Sequence, residues 1–566
     1  MASGDLITRN YLNFLGVDFS DYKLSLYRSP DALNMWKNYK KLGKCLETRP
    51  DIELLKPMDN TIYGLFFYTY STVKHMIIHS GTSLFDYNME TQETKTIKSL
   101  GMNPAKSQFF IFDDILYIKD GLNYLEYNGV TCKEVEGFIP TTTISRMPSG
   151  GGTPYQEVNM LTGFRKNSFC SDGAATTYAL DVDTYEANSV RAWINGVETQ
   201  NFTESPQTGE VTFTEAPPTP DTDGEDNVII QFSKTISGYR NRINKCTLLA
   251  VFDNRVFFSG NKDYPNTLWY SALENPRYCS DLDYATEGAN ANNIKALVPG
   301  NNALWVFKEP SQANTTVFYH TPSIDSELGK VYPSTHSSIS KGCVSSAINF
   351  NDDIVMFSDA GLEGISGDIT TEQVLGHRSS LIDSKLLQEE QYKNPILVEW
   401  QGYLLVFTGK HCYLADSRQK FQNVTSVEYE WYYWEFDKNI TAAIVDDDVL
   451  YLCIDKKIYT LTKTSNVTID SYWTTCIDDL EQPNYQKITN KRGSLAELQG
   501  EVTISVRTDS NNWEEIDTYT TTNKRYVVPR IKRKKWKDIQ YKFASNKPFS
   551  LYGFTIQTYI GSFVKR

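Results

Sequence analysis

Excess basic charge, long apolar runs and paired cysteines are all missing from this sequence. Its 566 residues carry 56 Lys and Arg against 69 Asp and Glu, a net charge of −13. No global basic field therefore exists to hold nucleic acid, although a protein that surrounds DNA without gripping it fits that balance. No stretch approaches the roughly 18 apolar residues of a membrane-spanning helix, so no membrane span is expected. The start, Met1-Ala2-Ser3-Gly4-Asp5-Leu6, has neither a basic n-region nor an apolar core, and no secretion signal is read there. The nine cysteines, from Cys45 to Cys476, show no CxxC spacing. Their odd number and wide separation point to reduced thiols made in a cytoplasm.

Catalytic and ligand-holding patterns are equally sparse. The six histidines are spread along the chain, and only His75 and His79 lie close together. No Cys or acidic residue stands near that pair at metal-ligand spacing, so a core or surface role is expected. Asp221-Thr-Asp-Gly-Glu-Asp-Asn227 resembles the start of a Ca²⁺ loop, but the chain enters an apolar strand where the bidentate glutamate should stand. Ser149-Gly-Gly-Gly152 lacks the Lys-Ser/Thr of a phosphate-cradling loop. Gly361-Leu-Glu-Gly-Ile-Ser-Gly367 lacks the glycine two residues before Ser366 that a nucleophile elbow needs. No cofactor and no enzymatic activity are expected.

Aromatic residues, at 13%, are plentiful, and this enrichment favours strands over helices. The clearest unit is Leu249-Ala-Val-Phe-Asp-Asn-Arg-Val-Phe-Phe-Ser259, two apolar runs about the polar pair Asp253-Asn254. Asp and Asn tolerate the positive φ of a tight hairpin turn, so a hairpin is predicted. The pattern returns with turns near residues 72, 113, 253, 301, 352, 401 and 447, the last five separated by 48, 51, 49 and 46 residues. A period of about 40–50 residues with several strands per unit marks a β-propeller. Seven units are counted, within a range of six to eight, because ring closure can draw strands from either terminus.

The 140 residues between the turns at 113 and 253 break the rhythm. Met147-Pro-Ser-Gly-Gly-Gly-Thr-Pro154 reads as a flexible linker. The strand-like segments after it, with a hairpin signal at Asn195-Gly196, read as a small β-sandwich grown from a propeller loop. The predicted organisation is an all-β chain: an N-terminal arm (1–58), first propeller blades (59–144), an inserted β-sandwich (145–243), remaining blades (244–467) and a C-terminal β module (468–566). A strand of the arm is expected to cover the edge of the sheet that follows it, or to bind a partner. The C-terminal module holds the only dense basic run, Arg530-Ile-Lys-Arg-Lys-Lys-Trp-Lys537. Arg530, Lys532, Arg533, Lys534, Lys535 and Lys537 are candidate DNA or partner contacts. Read as a strand, the run would put Ile531 and Trp536 on opposite faces, and a solvated strand or subunit contact is the plainer alternative.

Three blocks carry a family resemblance. They are Tyr27-Arg-Ser-Pro-Asp-Ala-Leu-Asn-Met-Trp36 with Leu46-Glu-Thr-Arg-Pro50, then Val256 to Tyr284 followed by Leu304-Trp-Val-Phe-Lys-Glu309, and the carboxyl end from Trp473 to Phe543. With these the chain resembles the tail-nozzle, or packaged-DNA stabilisation, proteins of short-tailed bacteriophages. The resemblance implies a virion protein made in the host cytoplasm that assembles as a ring, usually a homohexamer, below the portal and adaptor proteins. It further implies retention and passage of genomic DNA without sequence specificity, and neighbouring tail fibres or tail-tip proteins; it transfers no enzymatic residue. The rival readings are a receptor- or glycan-binding tail protein that uses the inserted sandwich, and a propeller glycosidase. For the latter, the repeated acids Asp113, Asp253, Asp352 and Asp447 already have a role as turn residues.

Overall fold

Seven polar pairs set the architecture. Ser71-Thr72, Asp113-Asp114, Asp253-Asn254, Asn301-Asn302, Asn351-Asp352, Gln401-Gly402 and Asp447-Asp448 all hold both φ angles between 46° and 78°. Paired left-handed residues make a turn whose twist matches that of the two strands it joins. All seven turn positions expected from the sequence are therefore hairpin tips. Each opens a four-stranded antiparallel sheet with its strands in spatial order, the pattern of a β-propeller.

The computed structural model describes residues 6–20, 25–40, 45–326, 329–366, 374–423, 426–462, 468–509, 511–531 and 535–563. The chain divides into two compact units, one spanning 66–342 and the other combining 1–65 with 343–566. The first unit contains four propeller sheets, whose hairpins turn at 72, 113, 253 and 301. Successive sheets bury apolar faces against each other. Tyr68, Ile77 and Leu84 pack with Leu116, Ile118 and Leu125, and Ala250, Phe257 and Leu268 pack with Leu304, Val306 and Phe318.

Between the second and third of these sheets lies the insertion, a sandwich of a six-stranded and a three-stranded sheet. Phe169, Val228, Ile230 and Phe232 from one sheet meet Tyr178, Val211 and Phe213 from the other. The Asn195-Gly196 hairpin forms as expected, with φ of 49° and 78°. Gly150, Gly151 and Gly152 differ from the flexible linker read in the sequence. All three have positive φ in a tight turn between the strands Thr141–Arg146 and Thr153–Pro154. The Arg146 guanidinium secures that turn by donating to the Gly151 and Ala179 carbonyls at 2.6 and 3.0 Å.

The second unit holds the remaining three propeller sheets and both chain ends. Its last hairpin pairs Ile440–Asp446 with Val449–Ile454, and Lys457–Thr462 follows as the third strand. The fourth strand comes from the N-terminal arm: Asp51–Pro57 lies antiparallel to Lys457–Thr462. The expected cover for the following sheet is therefore corrected. This strand completes the last sheet, because three strands there leave a ladder edge that only another strand can satisfy.

The sheet that turns at Gln401-Gly402 does not end at its fourth strand. Met35–Lys37 of the arm continues it beyond Ser426–Glu435, and Leu46–Thr48 carries it on to the C-terminal strand Ser550–Phe563. The result is one 15-stranded sheet containing a propeller sheet, the arm and the C-terminal module. Trp36 seals the joint, stacked at 5.2 Å on Trp400 and edge-on at 5.6 Å to Trp434. Beneath it Lys37 forms an ion pair with Glu430, and both are buried. The nine cysteines are all free.

Candidate functional site

Each described cluster that could carry chemistry holds elements together. His75 Nδ1 lies 2.6 Å from Asp86, which also accepts the Tyr127 and Tyr70 hydroxyls at 2.6 and 2.9 Å. His79 turns instead to Ser107 at 3.1 Å, so the two histidines of that hairpin have separate partners. His320 lies 2.9 Å from Glu287, both fully buried, and His411 pairs with Glu389 at 2.7 Å. His377 sits between Asp383 at 2.5 Å and Glu363 at 3.2 Å. Hydrogen bonds from those carboxylates push its pKa up to about 9, so the ring is a structural cation at neutral pH. Among the described residues, no group of three or more His, Cys, Asp and Glu could hold a metal ion.

Charge, by contrast, is unevenly distributed. Residues 468–566 carry 16 Lys and Arg against 11 Asp and Glu, net +5, whereas residues 1–467 carry 40 against 58, net −18. Within this C-terminal module the basic run does not form a continuous strand: only Lys535–Trp536 is one. Trp536 and Ile531 are both buried, 2% and 6% exposed, in the same core. The opposite-face expectation therefore fails, because the chain leaves the extended conformation between them. Lys532, Arg533 and Lys534 lie outside the described residues.

The described cations of the run separate. Arg530 lines a groove with Arg507, Glu514, Glu515 and Ile516 at the end of a long hairpin. Lys535 instead faces a row of exposed side chains across four strands. Leu6 pairs with Tyr559, Tyr559 with Ile488, and Ile488 with Lys535. Leu6 and Tyr559 are 49% and 39% exposed. The alternating residues Lys487, Trp536 and Thr558 point into the core.

Lys487 fixes this edge. Its buried ammonium donates to the carbonyls of Gln482, Tyr485 and Lys537 at 2.7, 3.1 and 2.7 Å, and burial lowers its pKa. Trp536 Nε1 donates to Thr489 Oγ1 at 3.0 Å, clamping the short strand in place. Beyond Thr489 the chain turns through Asn490-Lys491-Arg492-Gly493, closed by the Gly493 amide on the Asn490 carbonyl at 2.9 Å. Lys491 and Arg492 are exposed there. Sequence reasoning passed over both, although a Lys-Arg pair between Asn and Gly is a legible basic turn.

No family model matches this sequence, and no curated protein matches it. Solved structures similar to it are the BamB protein of Moraxella catarrhalis (10% identity, TM-score 0.32, covering 73% of this chain and 96% of that one) and the exo-β-1,3-galactanase of Phanerochaete chrysosporium (11%, 0.22, 55% and 95%). The extracellular domain of the one-component system BT4673 of B. thetaiotaomicron is a third (10%, 0.24, 97% and 85%). Likenesses this weak carry no functional argument, and the propeller is read from the sheets themselves. No described helix is long and apolar enough to cross a membrane.

Proposed function

We propose that this chain is a structural virion protein, the ring-forming tail nozzle of a short-tailed bacteriophage, which retains packaged DNA and conducts it during ejection. One observation carries the reading. The first and third blocks of the family resemblance, more than 400 residues apart, are neighbours in one ladder: Ala32 pairs with Trp473 and Leu33 with Tyr472. Around them the arm turns on Ser29, whose hydroxyl lies 3.2 Å from that of Thr474, and the Thr474 hydroxyl donates to the Asp31 carbonyl at 2.7 Å. Two sequence blocks shared with one family thus form a single packed feature, as a common architecture requires.

The acidic bulk of the chain supports the same reading, because each phosphate contact made by a Lys or Arg would slow a sliding duplex. The partners would be further copies of the chain, the portal and adaptor ring, and tail fibres or tip proteins. Native mass measurement of the purified protein, alone and with its adaptor, tests the proposal. A ring is expected, and a monomer that never assembles would overturn it.

A second reading, glycan recognition, is supported by Trp193 on the outer face of the inserted sandwich. Arg191 lies 5.3 Å from the ring centroid and is held by Glu198 at 2.9 Å. A glycan array probed with the whole protein and with Trp193→Ala decides it, since binding lost with the indole would favour recognition.

A further inference from the structure

The exposed row Leu6–Tyr559–Ile488–Lys535 and the neighbouring Lys491-Arg492 turn have no role in the ring reading. We propose that this face of the C-terminal module binds nucleic acid through its phosphate backbone, with Lys491, Arg492 and Lys535 as the phosphate contacts and Tyr559 as a stacking surface for unpaired bases. The ladder creates the juxtaposition. Ile488 lies opposite Lys535 on one side and opposite Tyr559 on the other, and the Lys491-Arg492 turn begins two residues after Ile488. These three cations are exposed and form no ion pair among the described residues, whereas exposed Lys438, Lys524 and Lys547 are each matched to a carboxylate within 3.1 Å.

The nearby acids limit the surface. The Asp509 carboxylate accepts the Lys537 amide at 2.7 Å, and Asp538 follows directly. Those two carboxylates offset Lys537, which is therefore left out. Arg530 is left out as well, because it shares its groove with Glu514 and Glu515. A cluster of exposed cations beside an exposed aromatic is the combination that single-stranded nucleic acid uses, with phosphates on the cations and bases on the ring. An acidic protein would use the cations but not the ring.

The proposal deepens the DNA-conducting reading and can be tested apart from ring assembly. Fluorescence anisotropy of the full chain with a labelled 20-nucleotide single strand and a 20-base-pair duplex, from 50 to 200 mM NaCl, measures the contact. Three phosphate contacts predict that duplex affinity falls about 40-fold across that range. Lys491→Gln/Arg492→Gln/Lys535→Gln should weaken both ligands at least tenfold at 50 mM salt, and Tyr559→Ala should weaken the single strand alone. All four side chains are exposed, and circular dichroism checks that the variants fold.

Absence of binding at 50 mM NaCl, or unchanged binding by the triple variant, overturns the proposal. Competition by polyglutamate as effective as by DNA also overturns it, in favour of an acidic protein partner. A monomer that binds DNA keeps this inference while sinking the nozzle, and a ring without DNA affinity does the reverse.

Discussion

Replacing Lys37 with methionine isolates what holds the arm to its propeller sheet. Glu430 is fully buried, and its Oε1 accepts from the Lys37 ammonium and from the Tyr432 hydroxyl, the latter at 2.5 Å. Its cross-strand partner is another buried carboxylate, Asp416, which takes the Tyr39 hydroxyl at 2.5 Å and Arg418 at 3.0 Å. Methionine keeps the aliphatic stem but leaves Glu430 without its counter-ion beside a like charge. Breaking a buried pair in this way costs about 3–5 kcal/mol.

The carboxyl can escape by taking up a proton. From its ordinary pKa of 4.5 that costs about 3.4 kcal/mol at pH 7 and about 0.7 kcal/mol at pH 5. Burial already raises the Glu430 pKa, so proton uptake favours the folded state and stability returns as pH falls. The expected loss is therefore about 3 kcal/mol at pH 7 and about 1 kcal/mol at pH 5. A chain of two units does not unfold in one step, so native-state hydrogen exchange of the amides where Met35 meets Tyr433 is the suitable assay. At pH 7 these amides should open roughly 100-fold more often in the variant. Glu430→Gln in the same chain should recover part of the loss. Equal losses at the two pH values, or a loss below about 0.5 kcal/mol at pH 7, would refute the assignment of Lys37 as counter-ion.

Other expectations are briefer. Because the His377 pKa is raised to about 9, its contribution is complete below the unfolded value of about 6.5 and is lost as pH rises through 9; hydrogen exchange around His377 should accelerate over that window, and His377→Gln should remove the dependence. Gly364 and Gly376 face each other across one ladder, and the Arg378 guanidinium, bound to Asp353 at 2.8 and 3.2 Å, lies against both. Ala at either site should therefore cost about 1–3 kcal/mol by overpacking, measurable as a lowered denaturation midpoint. Replacing Asp113-Asp114 with Ala-Ala should cost about 1–2 kcal/mol for each left-handed residue, whereas Asn-Gly should be tolerated or stabilising. A thiol reagent should find only Cys132 and Cys170 partly accessible in the folded protein, with Cys132 slow because burial pushes its pKa up to about 11, and all nine should react in denaturant.

Where local chemistry decides the structure, the sequence was legible. The seven hairpin tips could be found because Asp, Asn and Gly at a left-handed pair are chosen by the backbone of that turn, whatever surrounds it. The Asn195-Gly196 hairpin was legible for the same reason. Pairing between distant segments left no such mark. Nothing in Asp51–Pro57 distinguishes a strand for the next sheet from a strand for the last, because either partner offers the same row of backbone donors and acceptors. The site was half legible. The run from Arg530 to Lys537 stands out by density, yet Trp536 and Lys487 divide it, and both act through tertiary contacts. Lys491 and Arg492 belong with Lys535 only because the strand before their turn pairs with it.

The strand Asp51–Pro57 also sets a timetable. Its register partner for Pro57 is Lys457, exactly the residue the ribosome adds 400 positions later. At about 5–20 residues per second, between roughly 20 and 80 seconds of synthesis separate the two. Residues 66–342 form one uninterrupted unit and can fold during that interval, whereas the unit made from both ends of the chain cannot be finished until translation nears its end. For that time the arm, with Trp36 bare, is a nascent segment open to chaperones or to pairing with a neighbouring polysome's product. Slowing elongation should raise misassembly of the arm while leaving the central unit protected from protease.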